Sequence, residues 1–222
     1  MGWPRAVIFD LDGTLIDSAP DLARLLNKVL GECGRSAVDL DRVRGFVGDG
    51  VAKLVERGFA ATGSVEAEEC RTATRRFLAY YEAEPSTLTR AYDGVVDTLA
   101  LLKRDGRRLG VCTNKAERVT HAVLKALGID RFFDAVIGGD TLPVRKPDPA
   151  PLREAIGRLG LAREGAVMIG DNEHDAATAE AAGVPFVLVA YGYARVPLSE
   201  LHAAAKVERF EEIPDALTRI AP

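Results

Sequence analysis

Asp10 and Asp12 stand two residues apart at the end of the apolar run Ala6-Val7-Ile8-Phe9, with Gly13 directly after them. A short apolar run of this kind reads as a buried strand. If the chain stays extended just beyond it, the two-residue period of a strand points both carboxylates to the same side, and Gly13 lets the backbone turn away. Carboxylates held this close repel one another, so the pair implies a divalent cation or a proton held by one of them. Other apolar runs end in the same way. Thr113 closes L-G-V-C-T and is followed by Asn114 and Lys115, while Asp171 follows A-V-M-I-G and precedes Asp175 by four residues. Taken singly, an Asp or Thr after a strand is a turn former or a helix cap. Asp10, Thr113 and Asp171 at the ends of separate strands are better explained by one site, because ligands of a parallel α/β sheet bind beyond the C-terminal ends of its strands.

The elements needed to bring these residues together are legible in the spacing. Past Ser18, Leu22, Leu25, Leu26, Val29 and Leu30 recur at three- and four-residue intervals, the period of a helix. Ser18 is placed as its N-cap, with Asp21 three residues on in a capping-box arrangement. Further helices are expected near 39–44, 50–60 and 65–81, no strand-like run interrupts them, and Pro85 disfavours helix at the residue before it. Residues 17–84 are therefore expected to form an all-helical cap domain, inserted into a core made of residues 1–16 and 85–222. From Gly94 onward, helices (94–105, 116–127, 149–160, 175–182) alternate with strands (108–113, 135–139, 166–169, 185–189). Such alternation argues for a parallel sheet covered by crossover helices. Beyond Tyr191 the expectation is loops with short helices at 199–204 and 214–220. The fold class is α/β, a three-layer Rossmann-like core with a mainly parallel sheet plus the inserted helical cap.

Composition narrows the function classes. The 222 residues carry 33 acidic and 29 basic side chains, a net charge of −4, which gives no basic field for nucleic acid. No apolar run approaches the ~20 residues needed to cross a bilayer, so no membrane role is expected. Cys33, Cys70 and Cys112 are an odd number without paired metal-like spacing, and Met1 to Arg5 leads straight into the first strand, in keeping with a reducing cytoplasm. Cys112 is read as a small core residue rather than a nucleophile.

The run D-L-D-G-T-L-I-D-S from Asp10 resembles the first motif of the haloacid dehalogenase superfamily of aspartate-nucleophile phosphatases. T-N-K at Thr113, R-K-P-D-P around Lys146 and G-D-N-E-H-D from Gly170 resemble the remaining motifs, in the family's order. V-G-D-G-V-A-K-L-V-E-R from Val47 and G-G-D-T-L-P-V-R-K-P-D-P from Gly138 are similar to its phosphoglycolate phosphatase branch. The resemblance implies that Asp10 attacks phosphorus and forms an aspartyl-phosphate, which a carboxylate, ionised at neutral pH, can do without a base. It implies that Asp12 protonates the departing alkoxide and later deprotonates the attacking water, and that its main-chain carbonyl binds the metal. Thr113 and Asn114 would donate hydrogen bonds to the transferring oxygens, and Lys146 would supply positive charge. Asp171 then completes an oxygen-only site that suits Mg²⁺ rather than Ca²⁺, with Asp175 supporting it from one shell farther out.

For the organic half of the substrate the candidates are Gly48, Asp49 and Gly50 of the cap loop, and Lys115. A small carboxylated substrate also needs a cation, for which Arg44, Lys53, Lys115 and Arg118 are candidates. His174, a lone imidazole beside an oxygen site, is read as solvated or structural. The implied activity is Mg²⁺-dependent hydrolysis of a small phosphorylated metabolite, 2-phosphoglycolate first, by a cytoplasmic monomer or homodimer. A sugar-phosphate phosphatase or mutase of the same superfamily, and a silent protein that binds a phosphorylated ligand, are the alternatives. Asp12 counts against a dehalogenase, whose relatives lack that second carboxylate.

Overall fold

In the computed structural model, which describes residues 2–221, the run Ala6–Phe9 is strand β1, and none of its four residues has exposed surface. The short strand β2 (Ile16–Asp17) follows, then four helices, α1 (Ala19–Glu32), α2 (Leu40–Arg44), α3 (Val51–Thr62) and α4 (Ala67–Ala83), and the short strand β3 (Arg90–Ala91). Alternation then sets in with α5 (Val95–Arg104), β4 (Arg108–Cys112), α6 (Glu117–Ala126), β5 (Ala135–Ile137) and α7 (Ala150–Arg158). The chain continues through β6 (Ala166–Gly170), α8 (Glu173–Ala182), β7 (Phe186–Val189), β8 (Ala205–Val207) and α9 (Ile213–Arg219).

Six strands form one sheet in the order β5-β4-β1-β6-β7-β8, and each of the five pairings is parallel. Alternation along β1 divides the core between the two faces. Val7 and Phe9 pack on one side with residues of α5, α6 and α9, such as Leu99, Val123 and Leu217. Ala6 and Ile8 pack on the other with Leu152 of α7 and Ala179 of α8. Burial on both faces is why the central strands are continuous apolar runs. The result is the three-layer α/β fold expected from the sequence, with consecutive helices inserted after the first strand. No helix among the described residues is long and apolar enough to cross a membrane.

The structure differs from the sequence reading at the ends of elements. Residues 199–204 do not form a helix. A single 3₁₀ turn at Leu198–Glu200 leads into β8, whose three residues are half-buried, exposed and buried in turn, too short a run to announce an edge strand. Helix α8 starts at Glu173, two residues before Asp175, because the Asn172 side chain accepts the His174 N–H while Asp175 accepts the Asn172 N–H, a reciprocal cap. At the start of α1, Ser18 occupies the N-cap position without capping. Its hydroxyl donates to Asp12 instead, and Asp21 turns its carboxylate to the returning chain, where the N–H groups of Leu88 and Thr89 and the Thr89 hydroxyl donate to it, each at 2.8 Å. Beside it, β2 and β3 pair antiparallel, Asp17 opposite Arg90, and tie together the two ends of the helical segment.

Candidate active site

Three adjacent strands deliver the site. β4 ends one residue before Thr113, β1 one residue before Asp10 and β6 one residue before Asp171, and the sheet order β4-β1-β6 sets the three side chains along one edge. At Gly13 the chain turns with φ of +88°, and a Cβ there would overlap the Asp171 carboxylate, so both the turn and the close approach require glycine.

Lys146 binds the carboxylates together. Its ammonium donates to Asp10 Oδ1 at 2.7 Å and to Asp175 Oδ1 at 2.6 Å, with all three side chains buried. The other oxygen of Asp175 accepts the main-chain N–H groups of Asp171 (3.1 Å) and Asn172 (3.4 Å). Asp171 accepts from the Thr14 hydroxyl at 3.1 Å and the Asn172 amide at 3.2 Å through one oxygen, and from the Tyr193 N–H at 2.6 Å through the other. Carboxylate oxygens of Asp10, Asp171 and Asp175 lie within 4.8 Å of one another. Buried carboxylate oxygens make a donor set that can hold a small hard cation. Asp171 and Asp175 each accept through both oxygens, but only Asp175 of the two is held by the Lys146 ammonium, so Asp171, with Asp10 Oδ2, is the better placed to face one.

The electrostatics agree. Burial pushes the Asp10 carboxyl up to about 7; Lys146 opposes that rise, and Asp175 and Asp12 reinforce it. Asp171 is raised well above the usual carboxylate range by burial and by the charges of Asp175 and Asp10. One ammonium does not balance three carboxylates, and a divalent cation would. Lys146 itself remains charged, because Asp10 and Asp175 outweigh the burial that would lower it. The Cys112 thiol, pushed up by burial to about 12, is an inert core group.

Asp12 is held from two sides. The Ser18 hydroxyl donates to one oxygen at 2.5 Å, and Lys115 Nζ lies 3.1 Å from the other. Lys115 also donates to Tyr81 Oη on α4 at 2.7 Å. Asp10, Asp12, Thr113, Asn114, Lys115 and Lys146 border one pocket. Its opposite wall is apolar, formed by Leu22, Val47, Val51 and Leu54 of the helical segment.

The remaining expected residues divide. Gly48 and Gly50 line the pocket, and Gly50, with φ of +83°, starts α3 where a Cβ would press on the Asn114 carbonyl and the Arg145 guanidinium. The Asn114 side chain is not free to donate to a substrate: its Nδ2 donates to the carbonyls of Gly48 at 2.9 Å and Lys146 at 3.0 Å, bridging the loop before α3 to the lysine loop. Asp49 is not among the lining residues. Its carboxylate pairs with Arg57 at 2.6 Å, His174 at 2.7 Å and Arg195. Burial pushes this carboxyl upward, but Arg195 and Arg57 hold it well below the usual range. His174, read as solvated or structural, is thus hydrogen-bonded to Asp49 and partly buried, and borders the pocket. Lys53 and Arg118 are exposed and Arg44 is half-buried, and the three pair with Glu56, Glu82 and Asp41 in turn. Tyr81, Tyr193 and Arg195 went unnoticed in the sequence, since each meets its partners in the site, Lys115, Asp171 and Glu173, from more than twenty residues away and carries no local motif.

Residues 7–189 match the haloacid dehalogenase-like hydrolase family. The phosphoglycolate phosphatase of Rhodospirillum rubrum is 46% identical over 219 residues, which cover 96% of this chain and 91% of that protein. The phosphoglycolate phosphatase of Cereibacter sphaeroides is 44% identical over 215 residues, covering 96% and 98%. Among solved structures, a predicted phosphoglycolate phosphatase of Haemophilus somnus superposes with a TM-score of 0.90 at 31% identity, covering 95% of this chain and 96% of that one. CbbY of Rhodobacter sphaeroides, solved in complex with phosphate, gives a TM-score of 0.78 at 26% identity over 96% and 99% of the two chains.

Proposed function

The chain belongs to the haloacid dehalogenase-like hydrolase family, and we propose that it is a Mg²⁺-dependent phosphomonoester hydrolase acting on 2-phosphoglycolate through an aspartyl-phosphate on Asp10. The observation that carries this reading is the buried Lys146 ammonium between Asp10 and Asp175, at 2.7 and 2.6 Å, beside Asp12 in one pocket. Lys146 engages Asp10 Oδ1, which leaves Oδ2 to attack phosphorus. As the new P–O bond forms, the ester P–O bond breaks, and Asp12 delivers its proton to the departing alkoxide. A water then attacks the phosphorus of the aspartyl-phosphate, Asp12 takes the water's proton, and the bond to Asp10 breaks to release phosphate.

Asp10, Asp171 and the main-chain carbonyl of Asp12 would hold Mg²⁺. When bound, the ion supplies positive charge that offsets the repulsion between Asp10 and an incoming phosphate. Thr113 sits with Asp10 at the strand ends, where its hydroxyl can donate to the transferring oxygens. Residues 17–84 act as a cap that excludes water from the phospho-enzyme site and closes over the organic half of the substrate, against a core of residues 1–16 and 85–222. The free thiols of Cys33, Cys70 and Cys112 are in keeping with a reducing cytoplasm, where the protein acts as a monomer or homodimer on a small phosphorylated metabolite.

Phosphate release from 2-phosphoglycolate, glycerol 3-phosphate, glucose 6-phosphate and phosphoethanolamine, with and without Mg²⁺, tests the proposal. Release is expected only with the metal, with kcat/KM highest for 2-phosphoglycolate. A clear preference for a sugar phosphate overturns the substrate, and no release from any ester overturns the hydrolase.

A further inference from the structure

We infer that Lys115 is the specificity-determining residue that receives the carboxylate of the leaving group, and that Tyr81 of the helical segment is the positioning residue that holds it there. The inference rests on the hydrolase reading above and deepens it. In 2-phosphoglycolate one carbon separates the carboxylate from the ester oxygen, so the substrate's negative end must lie beside the atom that Asp12 protonates. Lys115 Nζ lies 3.1 Å from Asp12, which makes it the cation next to that atom.

The other basic residues that line this pocket, Lys146 and His174, are already committed. Lys146 serves Asp10 and Asp175, on the phosphoryl side. His174 is held between Asp49 and Arg195. Arg44, Lys53 and Arg118 are 41%, 45% and 83% exposed and pair with acids on the surface.

Lys115 has a donor to spare. An ammonium carries three N–H bonds; one goes to Tyr81 Oη at 2.7 Å and one toward Asp12, which leaves a third. The side chain is 3% exposed, and it borders the pocket across from the apolar side chains of Leu22, Val47, Val51 and Leu54. A buried donor without an acceptor is costly, and a carboxylate entering this space supplies one with full charge assistance. Tyr81 has no exposed surface and lies on α4, so the grip on Lys115 comes from the segment that covers the pocket.

The test compares kcat/KM for 2-phosphoglycolate with that for ethyl phosphate, which keeps the ester and the chain length and lacks the carboxylate, in the Mg²⁺-loaded full chain. In Lys115→Met, the ratio of the two should fall by about 10- to 100-fold, the worth of one charge-assisted hydrogen bond. Tyr81→Phe, which keeps the ring in its packing, should lower the same ratio several-fold. If both esters slow equally in Lys115→Met, Lys115 only supports Asp12 and the inference is overturned. Should that variant fail to fold, an unchanged ratio in Tyr81→Phe overturns it instead. A wild-type protein that hydrolyses neither ester would overturn the hydrolase reading itself, a different result from an unmoved ratio.

Discussion

Asp10 is placed where a carboxylate is hard to ionise, and that has a measurable consequence in the metal-free protein. Its folded-state pKa, raised by burial from 3.8 to about 7, means that the stability contributed by the protonated form is present at low pH and is lost as pH rises through that value. Asp171 shifts in the same direction. Asp21 and Asp49 shift the other way. Burial would raise Asp21, but the N–H groups of Thr89 and Leu88 outweigh it, so its contribution is lost only as pH falls below the ordinary carboxylate range. Between about pH 5.5 and pH 8 the site carboxylates therefore dominate the trend. A cation must displace their protons at the lower pH and meets ready carboxylates at the higher one. The rise in Tm on adding Mg²⁺ should be clearly larger at about pH 8 than at about pH 5.5. A rise that is equal at both values, or larger in acid, would show that the ion does not bind Asp10 and Asp171.

At the scale of elements, the loop before α3 and the start of α8 are locked together. Asp49 comes from the helical segment, and two of its three partners, His174 and Arg195, come from the core, with Arg195 held in turn by Glu173 at 2.6 Å. Glu173 and His174 lie between Asp171 and Asp175, so the covering loop rests on the turn that carries these two buried carboxylates. Partly buried and multiply paired, this cluster is worth more than an isolated surface ion pair. Asp49→Asn should raise KM on the order of tenfold, the effect of about 1.4 kcal/mol, while changing kcat less, and should speed amide exchange at residues 47–51. Unchanged KM and exchange would mean that the cluster does not hold the loop. Asp21 performs a comparable task at the other end of the segment, tying α1 to the chain that returns at Leu88 and Thr89.

At the scale of the whole molecule, what could be read from the sequence was what local pattern encodes. The buried run Ala6–Phe9, the carboxylates after it and the alternation of helices and strands follow from short-range periodicity, and Asp10, Thr113, Lys146 and Asp171 are marked by what precedes or follows them in the chain. Contacts made across the fold left no such mark. Nothing near Arg195 announces Asp49, 146 residues away, and nothing near Tyr81 announces Lys115. The carboxylates of Asp21 and Asp49 took long-range partners in place of the roles that local spacing suggested, and β8 exists because β7 offers it an edge rather than because A-K-V is a strong strand. The proposed hydrolysis requires that this architecture bring a phosphoryl group onto Asp10. Rapid acid quench of the Mg²⁺-loaded protein turning over radiolabelled 2-phosphoglycolate, followed by peptide mapping, tests it most directly. A hydroxylamine-labile label is expected on the peptide containing Asp10 and should disappear in Asp10→Asn; steady turnover with no label at any quench time, or a label that persists in that variant, would rule out a phosphoryl group on Asp10.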